Sequence, residues 1–471
     1  MSETLPLVVI GAGPGGHAAA FLAADLGLPV TLIDEEINPG GVCTFRGCIP
    51  SKALLHVAKL LAEAKHASAW GIEFGDPKVD VDKLRAFKQG VVDKLTGGLG
   101  GLTKQRKIPY IQGRASFVDN HTLTVALTGG GEQTVRFDKC IIATGSRPAA
   151  LPNLSLSADR LLDSTSALEI ARVPKTLLVV GGGYIGLELG SVYAALGTEV
   201  SVVEMTDGLL PGADRDLVNV LAKRIESICE AVLLETKVVA MKEQKDGIAV
   251  TFEGSLEKKE QTFDRVLVSI GRRANAVPGI DKTKVKVSDR GFVEVDEARR
   301  TAEPTIYAIG DVVGEPMLAH KASHEGRVAV EAIAGHKVAF EPLAIPAVVF
   351  TDPELAWCGL TENDAQKQKR EVTVARFPWG ASGRSLTLDR SDGMTKLLLD
   401  PKTERILGVG IVGPGAGELI AEGVLAVEMG ANATDLKMTI HPHPTLSETL
   451  MEAAEVFFGQ ATHVYRPRKK A

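Results

Sequence analysis

The sequence predicts an α/β protein built around two parallel-sheet units, and three observations carry that prediction. A short apolar run, a glycine-rich turn, a helical stretch and a second apolar run ending in an acid occur in that order near the N-terminus. The same order recurs from Thr176. With 471 residues, 45% of them hydrophobic, the chain can bury a large core divided among about three or four domains.

Leu7-Val8-Val9-Ile10 reads as a buried strand that ends at Gly11-Ala12-Gly13-Pro14-Gly15-Gly16, and a helix is predicted over 18–28. Gly11 permits a tight turn, Gly13 lets backbone approach a pyrophosphate, and Gly16 lets helix pack closely on strand. The N-terminus of the following helix attracts phosphate charge. A second strand, Val30 to Ile33, delivers Asp34, placed to accept ribose hydroxyls 18 residues after Gly16. A lone glycine motif is weak; strand, turn, helix, strand and acid in register read as a Rossmann-like dinucleotide site.

Just beyond lies Gly40-Gly41-Val42-Cys43-Thr44-Phe45-Arg46-Gly47-Cys48-Ile49-Pro50-Ser51-Lys52. A bridge over so short a loop would stabilise the fold by only about 2 to 3 kcal/mol. Beside a nucleotide site the pair reads as a redox-active disulfide next to a flavin; a structural staple or a two-thiol metal site are the weaker readings. A helix is predicted from Pro50 to about Glu63, presenting Cys48 and Lys52 on one face. Residues 80–106 look helical, and Tyr110 to Phe137 reads as hairpins inserted before a strand over Cys140 to Ala143.

The second occurrence runs Thr176-Leu177-Leu178-Val179-Val180, then Gly181-Gly182-Gly183-Tyr184-Ile185-Gly186, a helix, and the strand Glu199 to Val203 closed by Glu204. Two such sites imply two cofactors that exchange electrons. A carboxylate at 204 accepts the 2′-hydroxyl of NAD and repels the 2′-phosphate of NADP, and Met205, Thr206 and Asp207 supply no arginine. NAD is therefore expected. Tyr184 reads as interdomain packing more readily than as a gate, and Val238 to Phe263 as a hairpin insertion.

A net charge of −6 gives no electrostatic reason to expect nucleic-acid binding, and Arg466 to Lys470 reads as a solvated tail. No long apolar run suggests a membrane span, and residues 1–6 are too short for a targeting segment, so a cytoplasmic location is expected. Cys140, Cys229 and Cys358 stand singly in apolar stretches and read as core, with no metal site.

With Ala143-Thr144-Gly145-Ser146-Arg147-Pro148, Ser269-Ile270-Gly271-Arg272 and Thr301 to Gly310-Asp311 added, nearly the whole chain resembles the flavin disulfide reductases. His441-Pro442-His443-Pro444-Thr445-Leu446-Ser447-Glu448 is similar to the ending of the dihydrolipoyl dehydrogenase branch. No extra C-terminal cysteine pair of the mercuric reductase kind follows Cys358. Thr44-Phe45-Arg46 and Pro442 depart from residues common in that branch.

The resemblance implies two Rossmann-like domains, for FAD and NAD, and a C-terminal α+β dimerisation domain, divided as residues 1–150, 151–277, 278–346 and 347–471. It implies an FAD site drawing on Gly11, Gly13, Gly16, Asp34, Lys52, Thr144, Gly145, Asp311, Leu318 and Ala319. The NAD site draws on Gly181, Gly183, Gly186, Glu204 and Gly271. Cys43 exchanges with substrate, Cys48 contacts the flavin, Lys52 pairs with Glu188 near it, and His443 is the base. The helix after Met317 points its N-terminus at the flavin, where it stabilises negative charge. Glu448 either orients His443 or caps a helix as the acid of a Thr445-x-x-Glu448 box, orientation being favoured; His441 reads as structural. The implied reaction oxidises dihydrolipoamide and reduces NAD in a homodimer whose Cys43 and His443 come from different subunits. With no folded segment before the first strand, the lipoyl group is expected on a separate acyltransferase of a 2-oxoacid dehydrogenase complex or on a glycine-cleavage carrier. The competing readings are a reductase of another disulfide, such as glutathione, and a structural FAD-binding component; Glu204, Cys43, Cys48 and His443 argue against them.

Overall fold

The computed structural model describes residues 4–151, 157, 159–255 and 258–465, which leaves the basic segment 466–470 outside. In the first sheet the strand Thr4–Ile10 lies parallel between Val30–Asp34 and Glu132–Ile142. Tyr110–Asp119 extends the sheet beyond Val30–Asp34, and Ile306–Ala308 extends it beyond Glu132–Ile142. That late return sets Gly310 and Asp311 at the C-terminal edge of the parallel strands, beside the first glycine turn, where open α/β sheets bind ligands.

Thr122–Leu127 pairs antiparallel with both Tyr110–Asp119 and Glu132–Ile142. The predicted hairpin and the predicted strand at 140 are thus one element. Glu132–Ile142 serves the hairpin with its first half and the parallel core with its second, because no turn residue interrupts it. The first helix is Pro14–Asp25, four residues earlier than expected, since a proline is well placed in the first turn; Leu26 and Gly27 end it.

Five parallel strands form the second sheet, in the order Ala231–Leu233, Glu199–Val203, Thr176–Val180, Arg265–Val268 and Leu161–Leu162. A three-stranded antiparallel sheet, Lys237–Gln244, Gly247–Glu253 and Glu260–Phe263, occupies the predicted hairpin insertion. Ser146–Pro148 and Arg272–Ala274 pair antiparallel and stitch the two units together.

The third unit is a five-stranded sheet ordered Ala347–Val349, Glu354–Gly359, Ile406–Gly413, Met394–Leu399 and Thr373–Pro378. Helices Ala416–Glu428 and Glu448–Phe458 cover it, packing Ile420, Val427, Leu450 and Val456 against Leu397, Val409 and Ile411. Lys396, 1% exposed, ties this sheet to the second unit: its Nζ reaches Asp214 at 2.6 Å, Asp216 at 2.7 Å and Glu362 at 2.8 Å. The three carboxylates are spaced like metal ligands, but an ammonium already stands among them.

Candidate active site

A cleft of about 390 Å³ opens between the first glycine turn, the cysteine segment and the start of the second unit. Gly11, Gly13 and Asp34 line it, as do Thr144, Gly145 and Asp311. Gly11 has φ +98°, and a Cβ there would lie 2.3 Å from the Ala143 carbonyl oxygen. Gly13 is different: the nearest atom to its Cβ position is Gly41 Cα at 3.9 Å, so its face is open to an incoming diphosphate. Gly16 lies beneath, against Gly11. The first turn of Pro14–Asp25 carries no acid and no side-chain cap, leaving its N–H groups for an anion. The cradle fits a dinucleotide.

Asp34 accepts the Ala12 N–H at 2.6 Å and the Glu36 N–H at 2.9 Å. A carboxylate offers about four lone-pair sites, so capacity for ribose hydroxyls remains. Burial raises the Asp34 pKa, opposed by the Ala12 N–H and by Arg46. Asp311 accepts the Ser146 hydroxyl at 2.5 Å, and Arg272 fixes Ser146 through Nε to Oγ at 2.7 Å and Nη2 to the carbonyl at 2.8 Å. Ala319 and Met317 line the cleft, whereas Leu318 is the residue preceding helix Ala319–Ile333 and is not among the lining residues.

Cys43 lies in the short helix Gly41–Arg46, and Cys48 opens the long helix Cys48–His66, with Pro50 in its first turn. Both sulfurs are unbridged and line the cleft. The Cys43 side chain is the largest influence lowering the Cys48 pKa to about 7; burial opposes this, and the Lys52 charge assists it. The Cys48 side chain, then burial, pushes the Cys43 pKa up. Lys52, one turn along, pairs with Glu188 at 2.7 Å. Glu188 is 3% exposed and also accepts the Ser51 hydroxyl and the Phe350 N–H, each at 3.0 Å.

The second glycine turn repeats the first. Glu204 accepts the Gly182 N–H at 2.7 Å and, on its other oxygen, the Thr206 N–H at 2.8 Å. Gly181 and Gly186 are closely packed, while Gly183 and Gly271 have nothing within 4 Å of a Cβ position. Arg215, the cation beside Gly208, spends its guanidinium on the carbonyls of Leu209, Leu210 and Ala213, which leaves the acid to set the local charge. Tyr184 is 39% exposed and stands on the cleft wall, because the glycine turn starts its helix there.

His443 Nδ1 lies 2.9 Å from Glu448 Oε1, and Glu448 Oε2 accepts the Thr445 N–H at 2.7 Å. Ser447, not Thr445, precedes helix Glu448–Phe458, so the capping box is only half formed and the carboxylate divides its oxygens between backbone and imidazole. His443 is largely exposed, and neither it nor Glu448 lines the cleft. Within one chain His443 and Cys43 thus do not line one cleft. His441 pairs with Glu422 at 2.7 Å and anchors the segment to helix Ala416–Glu428.

Residues 5–326 match the model of the pyridine nucleotide-disulphide oxidoreductases, and residues 345–454 match that family's dimerisation domain. The chain belongs to the pyridine nucleotide-disulphide oxidoreductase family. It is 51% identical to the dihydrolipoyl dehydrogenase of Haemophilus influenzae, covering 99% of this chain and 97% of that one. To the dihydrolipoyl dehydrogenase of Geobacillus stearothermophilus it is 46% identical, over 98% and 97%. Among solved structures it is similar to LpdA from Mycobacterium tuberculosis (TM-score 0.89, 25% identity, 96% of this chain and 99% of that one). It also resembles the flavoprotein disulfide reductase RclA from Escherichia coli (TM-score 0.86, 26% identity, 96% and 99%).

The cofactors of this oxidoreductase are FAD and NAD, as in its family. Among the described residues no helix is long and apolar enough to cross a membrane. Sequence reasoning missed the Ser146–Arg272 support of Asp311 and the Phe350 N–H on Glu188. Both motifs of the first pair were visible, but nothing in one sequence aligns positions 126 residues apart.

Proposed function

We propose that the chain oxidises the dihydrolipoyl group to its cyclic disulfide and reduces NAD+ to NADH, as a homodimer. The observation that carries this is the Cys43–Cys48 pair lining the FAD cleft one turn from Lys52, with Cys48 the thiol whose pKa is lowered. A dithiol substrate gives a proton to His443 of the second subunit, and its thiolate attacks Cys43 Sγ of the oxidised pair. The Cys43–Cys48 bond breaks and its electrons leave on Cys48. The second substrate thiol then attacks the mixed disulfide, releasing oxidised substrate and leaving Cys43 as a thiol. Bound FAD supplies the two-electron relay from the reduced pair to NAD+, so that the cycle yields oxidised lipoyl group, NADH and one proton.

Glu448 holds His443 in the tautomer that exposes Nε2 to substrate and balances the imidazolium. Lys52, neutralised by Glu188, favours negative charge on Cys48 and beside the flavin. The lipoyl group would come on an acyltransferase of a 2-oxoacid dehydrogenase complex or on a glycine-cleavage carrier. The three largest sheets, with strands in 4–142 plus 306–308, in 161–268 and in 347–413, support domain divisions near 150, 277 and 346. Purified protein should reduce NAD+ rapidly with dihydrolipoamide and only slowly with reduced glutathione, and should use NADP+ poorly. No turnover with dihydrolipoamide by FAD-loaded protein would overturn the assignment.

A further inference from the structure

We infer that Glu325 is a positioning residue for FAD, acting through the Gly310–Asp311 turn; the inference rests on the reading of the first cleft as the FAD site. Glu325 is 0% exposed on helix Ala319–Ile333, the helix that gives Ala319 and Ala322 to the cleft wall. Its Oε2 accepts the Gly310 N–H at 2.6 Å. Its Oε1 meets Arg299 Nη1 at 3.0 Å and Lys321 Nζ at 3.1 Å. Lys321 Nζ also donates to the Gly314 carbonyl at 3.1 Å. The stretch Gly310 to Gly314, which carries Asp311, is therefore held at one end by the carboxylate and at the other by the ammonium paired with it.

The same helix is fixed against the first glycine turn, because Gly326 packs so closely that a Cβ would lie 2.7 Å from the Gly15 carbonyl oxygen. Glu325 thus sets Asp311 relative to Gly13 and its neighbours without itself lining the cleft. A buried and a half-buried cation around one buried carboxylate, with the buried Arg299 Nε left without a partner among the described residues, are a costly way to attach a helix to a turn. Apolar side chains would attach it as well; what the charged cluster adds is direction, since only a carboxylate of this length reaches the Gly310 N–H.

The test is the rate of FAD release from purified holoenzyme, followed as free-flavin fluorescence. E325D keeps the charge beside Arg299 and Lys321 but falls short of Gly310, and should release FAD about tenfold faster or more than the unsubstituted protein. In a D311A background E325D should add less than about twofold, because the effect runs through Asp311. E325D that releases FAD at the unsubstituted rate, or full additivity with D311A, would overturn the proposal. If E325D does not fold, K321M decides: it drops the tie to the Gly314 carbonyl while Glu325 keeps Arg299, and release at the unsubstituted rate would overturn the proposal. Unsubstituted protein that holds no FAD would instead remove the cofactor reading.

Discussion

Replacing Cys43 with alanine should return the Cys48 thiol from about 7 to about 9 or above. The largest influence lowering Cys48 from its ordinary 9.0 is the hydrogen bond from Cys43; burial then acts upward and Lys52 downward. With the donor gone, burial and Lys52 oppose one another and about two pKa units, or about 2.7 kcal/mol, are lost. At pH 7 the thiolate fraction falls from about one half to about one hundredth. The rate of alkylation falls less, about fivefold, because a thiolate of higher pKa is intrinsically about tenfold more nucleophilic at a Brønsted slope near 0.5. The midpoint of the pH–rate profile is thus the sensitive observable. Flavin-free protein is reduced and treated with iodoacetamide from pH 5 to 10, and modification at Cys48 is read by mass spectrometry. Cys229 and Cys358 do not interfere, since burial pushes them up to about 11 and about 12, and Cys140 is pushed up as well. Lys52→Met should raise the midpoint less than Cys43→Ala does. A midpoint that stays near 7 in Cys43→Ala would refute the reasoning.

Four further outcomes follow from the same geometry. His443→Gln should lower kcat by about 10²- to 10⁴-fold with FAD retained, and Glu448→Gln by less, as measured by steady-state kinetics. Burial acts to raise the Glu448 pKa, but the Thr445 N–H and His443 outweigh it and hold it below its ordinary 4.5. Its contribution to stability is therefore present above pH 4.5 and lost as pH falls through the lower folded value, which pH-dependent thermal melts of Glu448→Gln against the unsubstituted protein would detect. Glu204→Ala removes the acceptor of the ribose hydroxyl and of the Gly182 N–H, so KM for NAD+ should rise about tenfold or more with kcat less affected. Lys396→Met leaves Asp214, Asp216 and Glu362 facing one another with only Arg376 beside them. It should destabilise the joint between the second and third units by about 3 kcal/mol, visible as a lower Tm.

The backbone plan was legible because it is written in local patterns. Both glycine turns, the strands Thr176–Val180 and Glu199–Val203 and the helix Val81–Gln105 follow from apolar period and turn chemistry within short windows. Glu132–Ile142 was misread as two pieces because a strand shared by a hairpin and a parallel core looks like two patterns in sequence. In the site, Cys43, Cys48 and Lys52 declared themselves by spacing. Glu188 came with the resemblance, but what holds Glu188 did not show: the Phe350 N–H on it is a backbone group 162 residues away, and any residue but proline at 350 would supply it. Glu448 shows the limit from the other side. One local motif fits both a helix cap and a histidine partner, and only the geometry reveals one oxygen given to each.

The central claim, that electrons enter at Cys43 of one subunit under the base His443 of the other, is tested most directly by mixing two inactive variants. Cys43→Ser and His443→Gln chains are co-expressed with different tags, and the mixed dimer is isolated and assayed with dihydrolipoamide and NAD+. The mixed dimer retains one intact site and should recover up to about half of the unsubstituted activity, given strict two-fold sharing. A mixed dimer no more active than either parent would contradict the account.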